Sequence, residues 1–252
     1  MAGKFLYPVS TLFIFAIFVV YGGRIFCHTP VPAEKADEEK EHMEIEYTYL
    51  PKHVHLSPYD RIFREAADSI GYDWTLIAAI AFSESRFDSM AVSDAGACGL
   101  MQVMPSTLQG FGIPDSLHMD TRTNVMVAAE LLHSLDRHFR YVRNPNERLN
   151  FVLASYNAGF GHIQDAMRLA RKYGKDRFVW FENVDSFLIL KSEPEYYTDS
   201  LCRNGVFNGW KETLYFVKKV HRNWGHFSRR QKEYSDSINR VIAADSTKRI
   251  ME

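Results

Sequence analysis

The strongest constraint on this chain is an apolar repeat of three to four residues that runs, with breaks, from residue 57 to residue 224. Residues at that spacing share one face of an α-helix, and the face must be buried against something. Ile62, Phe63, Ala66, Ala67 and Ile70 make the first set, with Ser57-Pro58 as a start signal and Gly71 as a stop. Asp73 can cap a second helix, in which Trp74, Ile77, Ala78, Ala81 and Phe82 face one way. Residues 125–139, 149–156, 163–173 and 214–224 repeat the pattern, and Asn157-Ala158-Gly159 separates the middle two. Alternating strand patterns are scarce, and the runs 178–181 and 187–190 fit either type. The expectation is a mainly α domain over residues 57–225. A polar tail, helical or loose, then fills 226–252.

The N-terminal segment has a different character. Residues 5–23 are uncharged and lie between Lys4 and Arg24. As a helix they span roughly 28 Å, close to the hydrocarbon thickness of a bilayer. Residues 1–27 therefore read as a signal anchor, or as a signal peptide cut after small residues such as Val20 and Gly22. Arg24-Ile25-Phe26 before Cys27 is the wrong context for a lipoprotein cut. Residues 28–56 open with Pro30 and Pro32 and run through Glu34, Asp37, Glu38, Glu39 and Glu41, an acidic and solvated linker. The body of the chain is then expected in the periplasm, tethered to the cytoplasmic membrane through residues 5–23, or released there after cleavage.

Composition removes several classes of function. Hydrophobic residues at 46% and charged residues at 24% exclude wholesale disorder. Lys+Arg 30 against Asp+Glu 31 leaves no basic field for nucleic acid. Three cysteines with no CxxC pair make no disulfide scaffold. The ten histidines are scattered, and no His/Cys/Asp spacing suggests a metal.

One carboxyl stands out. Ile77, Ile80, Ala81 and Glu84 lie three, four and seven residues apart, so Glu84 extends an apolar stripe at the C-terminal end of its helix. Burial and the helix dipole both disfavour its charge there. A carboxylic acid kept protonated near neutral pH can protonate a glycosidic oxygen. The alternative is that the helix has turned and Glu84 meets solvent. Gln102 lies in the apolar run Gly99-Leu100-Met101-Gln102-Val103-Met104-Pro105, where an amide must be paired or face a groove. Tyr156-Asn157 again places polar groups at a helix break.

These residues occur in an order that resembles a known family. Glu84-Ser85-Arg86-Phe87, Ala91-Val92-Ser93 and the run from Gly96 to Pro105 are similar to the catalytic domain of the soluble-type lytic transglycosylases. Ser155-Tyr156-Asn157-Ala158-Gly159 resembles the family's Ala-Tyr-Asn-Ala-Gly motif, and Glu212-Thr213 with Phe216-Val217 its late Glu-Thr-x-x-Tyr-Val motif. The resemblance covers residues 57–224 and departs at Phe216, where the family has a tyrosine.

The resemblance implies a lysozyme-like helical fold with a saccharide groove. It implies peptidoglycan as the partner and no cofactor. Family members cut the β-1,4 bond between N-acetylmuramic acid and N-acetylglucosamine without water and leave a 1,6-anhydro end. Glu84 is then the acid and base, and Ser93, Met101, Gln102, Tyr156 and Asn157 contact the glycan. A hydrolytic muramidase of the same fold remains an alternative, as does a binding protein weakened by Phe216. In an oxidising compartment Cys98 and Cys202 can pair and pin the segment after Lys191 beside the groove.

Overall fold

The computed structural model describes the backbone of residues 17–21, 24–28 and 54–251, and the side chains of residues 54–240. The chain divides into two compact units, Met1–Lys52 and His53–Glu252. In the first, Ile17–Tyr21 (β1) pairs antiparallel with Arg24–His28 (β2), Tyr21 standing opposite Arg24. The end of the expected membrane helix is therefore a strand; residues 5–16 and 22–23 of that expectation lie outside the described residues. Ile17, Val19, Val20 and Tyr21 are β-branched or aromatic, residue types suited to a strand. Among the described residues no helix is long and apolar enough to cross a membrane. Most of the acidic linker, residues 29–53, also lies outside the described residues.

The second unit is helical, as the periodicity predicts. Its elements are α1 (Asp60–Ile70), α2 (Trp74–Ser85), α3 (Pro105–Gly110), α4 (Thr121–His138), α5 (Pro145–Ala158) and α6 (Phe160–Lys172). Short α7 (Asp185–Leu190) and α8 (Pro194–Tyr197) follow, then the long α9 (Trp210–Met251). Helix α1 starts two residues later than Ser57-Pro58 suggests. The Asp60 carboxylate grips the preceding turn, accepting from the Leu56 and Ser57 amides at 2.8 and 2.9 Å. Asp73 caps α2 as expected, accepting from the Thr75 amide at 2.9 Å. The run at Trp180–Val184 is an irregular helical turn kinked at Glu182, whose φ is 60°.

Helix α2 runs through the middle. Every residue from Thr75 to Ala81 is buried, so it has no polar face at all. It packs against α1 on one side and α9 on another, while α9 also packs on α5. Helix α9 does not stop at Trp224 but continues to Met251.

The segment between α7 and α9 is fastened by charge and not by sulfur. Cys98 and Cys202 are both free. The Cys98 thiol donates towards the Val103 and His118 carbonyls, and the Cys202 thiol towards the Tyr196 carbonyl at 3.2 Å. The expected disulfide is thus replaced by Asp165 on α6. Its buried carboxylate accepts from Lys191 Nζ at 2.5 Å, from the Arg203 and Asn204 amides at 3.0 and 2.9 Å, and from Arg168. Asn204 also lies so close to Gly161 that a Cβ there would sit 2.2 Å from its Oδ1.

Burial opposes the Asp165 charge, but these donors outweigh it and hold the carboxyl down to about 2. A depressed carboxyl contributes stability that is complete above its unfolded value near 3.8 and is lost as pH falls towards 2. Removing one partner of a buried pair costs about 3–5 kcal/mol. Asp165→Ala should lose stability of that order in urea unfolding at pH 7, and the gap to the unaltered protein should close below pH 3.

Candidate active site

Four segments meet at the C-terminal end of α2. A helix leaves its last four carbonyls without intrahelical partners, and in a buried helix they need other donors. Lys219 of α9 donates from Nζ to the Ser83 carbonyl at 2.5 Å. Asn223, one turn on, donates to Ser83 Oγ at 3.0 Å, and Ser83 Oγ donates to the Ala79 carbonyl at 2.7 Å. Ser85 Oγ reaches the Leu100 carbonyl at 2.9 Å. The chain then turns sharply, with Arg86 and Phe87 both left-handed at φ 56° and 68°. Neither is glycine, so the turn is strained. Phe87 is held in it by rings, with centroids 5.3 Å from Phe82 and 5.8 Å from Phe63.

Glu84 is part-buried on this last turn. Burial pushes its carboxyl up to about 8; the Lys219 charge opposes the rise and the Glu212 charge adds to it. Its neighbour Asp88 is engaged locally, accepting from the Met90 amide at 2.9 Å.

The loop after α2 is folded by its own polar groups. The Ser93 amide donates to the Ala97 carbonyl at 2.9 Å across a turn, and Ser93 Oγ accepts from the Ala97 amide at 3.0 Å. Ser93 itself is exposed. Gln102 adopts a left-handed φ of 47° and turns its amide nitrogen inward, donating to the Ala91 and Gly99 carbonyls at 3.1 and 3.0 Å. Only its Oε1 is left for a ligand.

Met101 is a correction. Its side chain is fully buried in the core and cannot touch a glycan. The exposed methionine of the run is Met104, at 39%. What Met101 offers is backbone: its amide donates to Asn124 Oδ1 at 2.9 Å, and its carbonyl accepts from Tyr156 Oη at 2.7 Å.

Asn124 went unnoticed in the sequence. It is buried at the start of α4 and also donates to the Cys98 carbonyl at 2.9 Å, so one amide fixes both sides of the loop. Gly99 packs directly on it; a Cβ there would stand 2.7 Å from Asn124 Cγ. An asparagine next to Val125, within the buried face that includes Ala128, was the available signal.

Tyr156 and Asn157 come from the end of α5. Burial pushes the Tyr156 phenol well above its ordinary range, and the charge of Glu84 adds to the effect. Its ring stacks on Phe216 of α9, centroids 6.3 Å apart and planes 12° from parallel. Asn157 Oδ1 accepts from the buried Thr213 hydroxyl at 2.7 Å, which leaves its amide N–H groups for a ligand. Thr213 comes from the late motif, whereas Lys219 and Asn223 are further residues that the sequence did not mark as part of the site.

Residues 61–179 match the model of the transglycosylase SLT domain. The matched domain belongs to the soluble-type lytic transglycosylase family. It is 37% identical over 184 residues to membrane-bound lytic murein transglycosylase F of Desulfosudis oleivorans, covering 73% of this chain and 38% of the relative. The protein of that name from Maricaulis maris is 38% identical over 168 residues, covering 65% of this chain and 35% of the relative. The chain thus spans a little over a third of the length of these relatives. The crystal structure of the 70 kDa soluble lytic transglycosylase SLT70 from Escherichia coli is similar at a TM-score of 0.46 and 23% identity, over 67% of this chain and 24% of that one.

The raised Glu84 pKa carries a stability signature for this domain. A group whose pKa is higher folded than unfolded stabilises fully below the unfolded value, near 4.5, and loses that contribution as pH rises through about 8. Glu84→Gln removes the titration. Its melting temperature should exceed that of the unaltered protein at pH 9, and the difference should shrink on acidification to pH 4.

Proposed function

We propose that the domain is a peptidoglycan lytic transglycosylase that cuts the glycan between N-acetylmuramic acid and N-acetylglucosamine and closes a 1,6-anhydro ring. The observation that carries this reading is Glu84: a carboxyl raised to about 8 stays largely protonated at neutral pH and stands among the four family motifs. The relatives' names support both the substrate class and a place in the cell envelope.

The residues divide the work as follows. Glu84 donates its proton to the glycosidic oxygen while the bond from C1 to that oxygen breaks. The 6-hydroxyl of the same muramyl residue attacks C1, and its proton passes to the Glu84 carboxylate. No water is consumed, and proximity within one sugar favours the ring closure. Asn157 offers amide N–H groups, Gln102 its Oε1 and Ser93 its hydroxyl to sugar substituents. Tyr156 locks the Met101 backbone, so the loop and Glu84 keep one geometry.

A water-using muramidase is the second reading, and Glu212 favours it. Such enzymes pair two carboxyls, and Glu212 is the one whose charge reaches Glu84. Mass spectrometry of digested sacculi separates the readings, because anhydro-muramyl ends arise only without water. Glu84→Gln should lower release of those ends by at least about 10²-fold, in the range of an acid–base group. More than a tenth of the original turnover would remove Glu84 from the mechanism. Lys219→Met takes away the charge that holds the Glu84 pKa down. The alkaline limb of the cleavage profile should then move to higher pH.

The uncharged run at residues 5–23 supports export with the domain facing the periplasm, either tethered or released. If it is an anchor, the full chain should stay in the membrane pellet after carbonate washing; a soluble form beginning near residue 23 would show cleavage instead.

A further inference from the structure

The far end of α5 carries a second set of features that the reaction does not use. Glu147 and Asn150 lie nine and six residues before Tyr156, which places them roughly 9–14 Å further along the helix axis. Two cavities meet there at Glu147. One, of about 470 Å³, is bounded by Asn146, Asn150, Phe181, Lys218, His221 and Trp224. The other, of about 590 Å³, is bounded by Tyr141, Arg143, Asn144, Asp176 and Phe178, among others. Each falls within the roughly 300–1,000 Å³ typical of small-ligand sites.

The lining is preorganised. His221 Nε2 donates to Asn150 Oδ1 at 2.7 Å, and Asn150 Nδ2 donates to Glu147 Oε2 at 3.4 Å. Glu147 Oε2 also accepts from the Trp180 amide at 2.8 Å. Burial holds the His221 pKa down, so the ring stays neutral and its second nitrogen remains an acceptor. Tyr141, Phe178 and Phe181 are 43%, 42% and 39% exposed, so part of each ring meets solvent although Tyr141 and Phe178 also pack edge to face on each other. Arg177 lies over Phe178 and Lys218 over Phe181, so the rings keep a cationic edge.

The chemistry selects the ligand class. Exposed ring edges take the apolar C–H face of a pyranose, and the exposed Asn146 amide and the Asn144 amide N–H groups, whose oxygen caps α5, suit its hydroxyl and acetamide groups. Arg143, Arg177 and Lys218 at these rims outnumber Glu147 and Asp176, which suits a strand carrying the one lactyl carboxylate of each muramyl residue. Two cavities that share Glu147 suit a linear polymer with a repeating unit. We propose that this track is a second, non-catalytic site for a glycan strand, which holds the domain on its substrate at a distance from Glu84. The choice of glycan rests on the peptidoglycan reading above.

The test uses the full-length Glu84→Gln chain and glycan strands stripped of stem peptides, with binding read by co-sedimentation. Phe181→Ala and Phe178→Ala together should weaken strand binding at least fivefold. In the active background the same pair should leave cleavage of a short soluble muropeptide within twofold. Lys218→Glu, on an exposed side chain that leaves the core intact, should also weaken strand binding and covers the case in which the ring variants unfold. Unchanged strand binding in Lys218→Glu and in the folded ring variants would overturn the proposal. Binding that appears only when stem peptides are present would overturn the glycan assignment. Cleavage failure is a separate result: an inactive chain whose strand binding still depends on Phe181 keeps this site and loses the transglycosylase.

Discussion

The site depends on how a fully buried helix is brought to an end. Helix α2 has no solvent face between Thr75 and Ala81, and beyond that stretch its last turn ends among neighbouring segments. The polar groups of that turn draw those segments together. Lys219 and Asn223 bind Ser83, and Ser85 binds Leu100. Glu84 sits between these two serines. Its position is therefore set by bonds on both sides of it, and its partial burial follows from the same packing. The raised pKa of its carboxyl is a consequence of where α2 stops.

The loop that follows has little core of its own and is built from outside. Asn124 and Tyr156 reach it from α4 and α5, and both bind the backbone of the loop at Met101. Hydrogen bonds from two helices to one residue leave the loop little freedom, whatever its side chains. Gln102 closes the remaining gap through Ala91 and Gly99. A ligand meets surfaces that are already ordered, as a site that stabilises a short-lived state requires.

The helices, the Asp73 cap and the breaks at Gly71 and Gly159 were legible because each rests on local periodicity or on one residue's backbone preference. Glu84 was legible for the same reason, as a charge continuing an apolar stripe. What could not be read depends on distant partners. Lys219 resembles any solvated lysine until α9 is laid across Ser83, 136 positions earlier. Asp165 resembles a helix-surface acid until Lys191 and the segment at Asn204 close over it. Cys98 and Cys202 suggested a bridge because both lie near loops, yet their sulfurs face different carbonyls. The run at 17–21 is ambiguous for another reason: an uncharged stretch suits a helix and a strand equally, and its β-branched residues suit the pairing with 24–28.

Phe216 shows how the family pattern bends without losing its logic. Its ring remains buried and stacked on Tyr156, so the packing role of the position is intact. The hydroxyl is what has gone, and Tyr156 Oη cannot replace it because that group is spent on Met101. Helix α9 then influences Glu84 through charge. Glu212 and Lys219 lie four residues before and three after Phe216, so all three share one face of the helix. The acid raises the Glu84 pKa and the lysine lowers it, while burial raises it more than either. With desolvation dominant, the balance stands on the protonated side at neutral pH. A proton donor can thus be maintained here by the placement of two opposite charges around a buried ring, with no hydroxyl from Phe216.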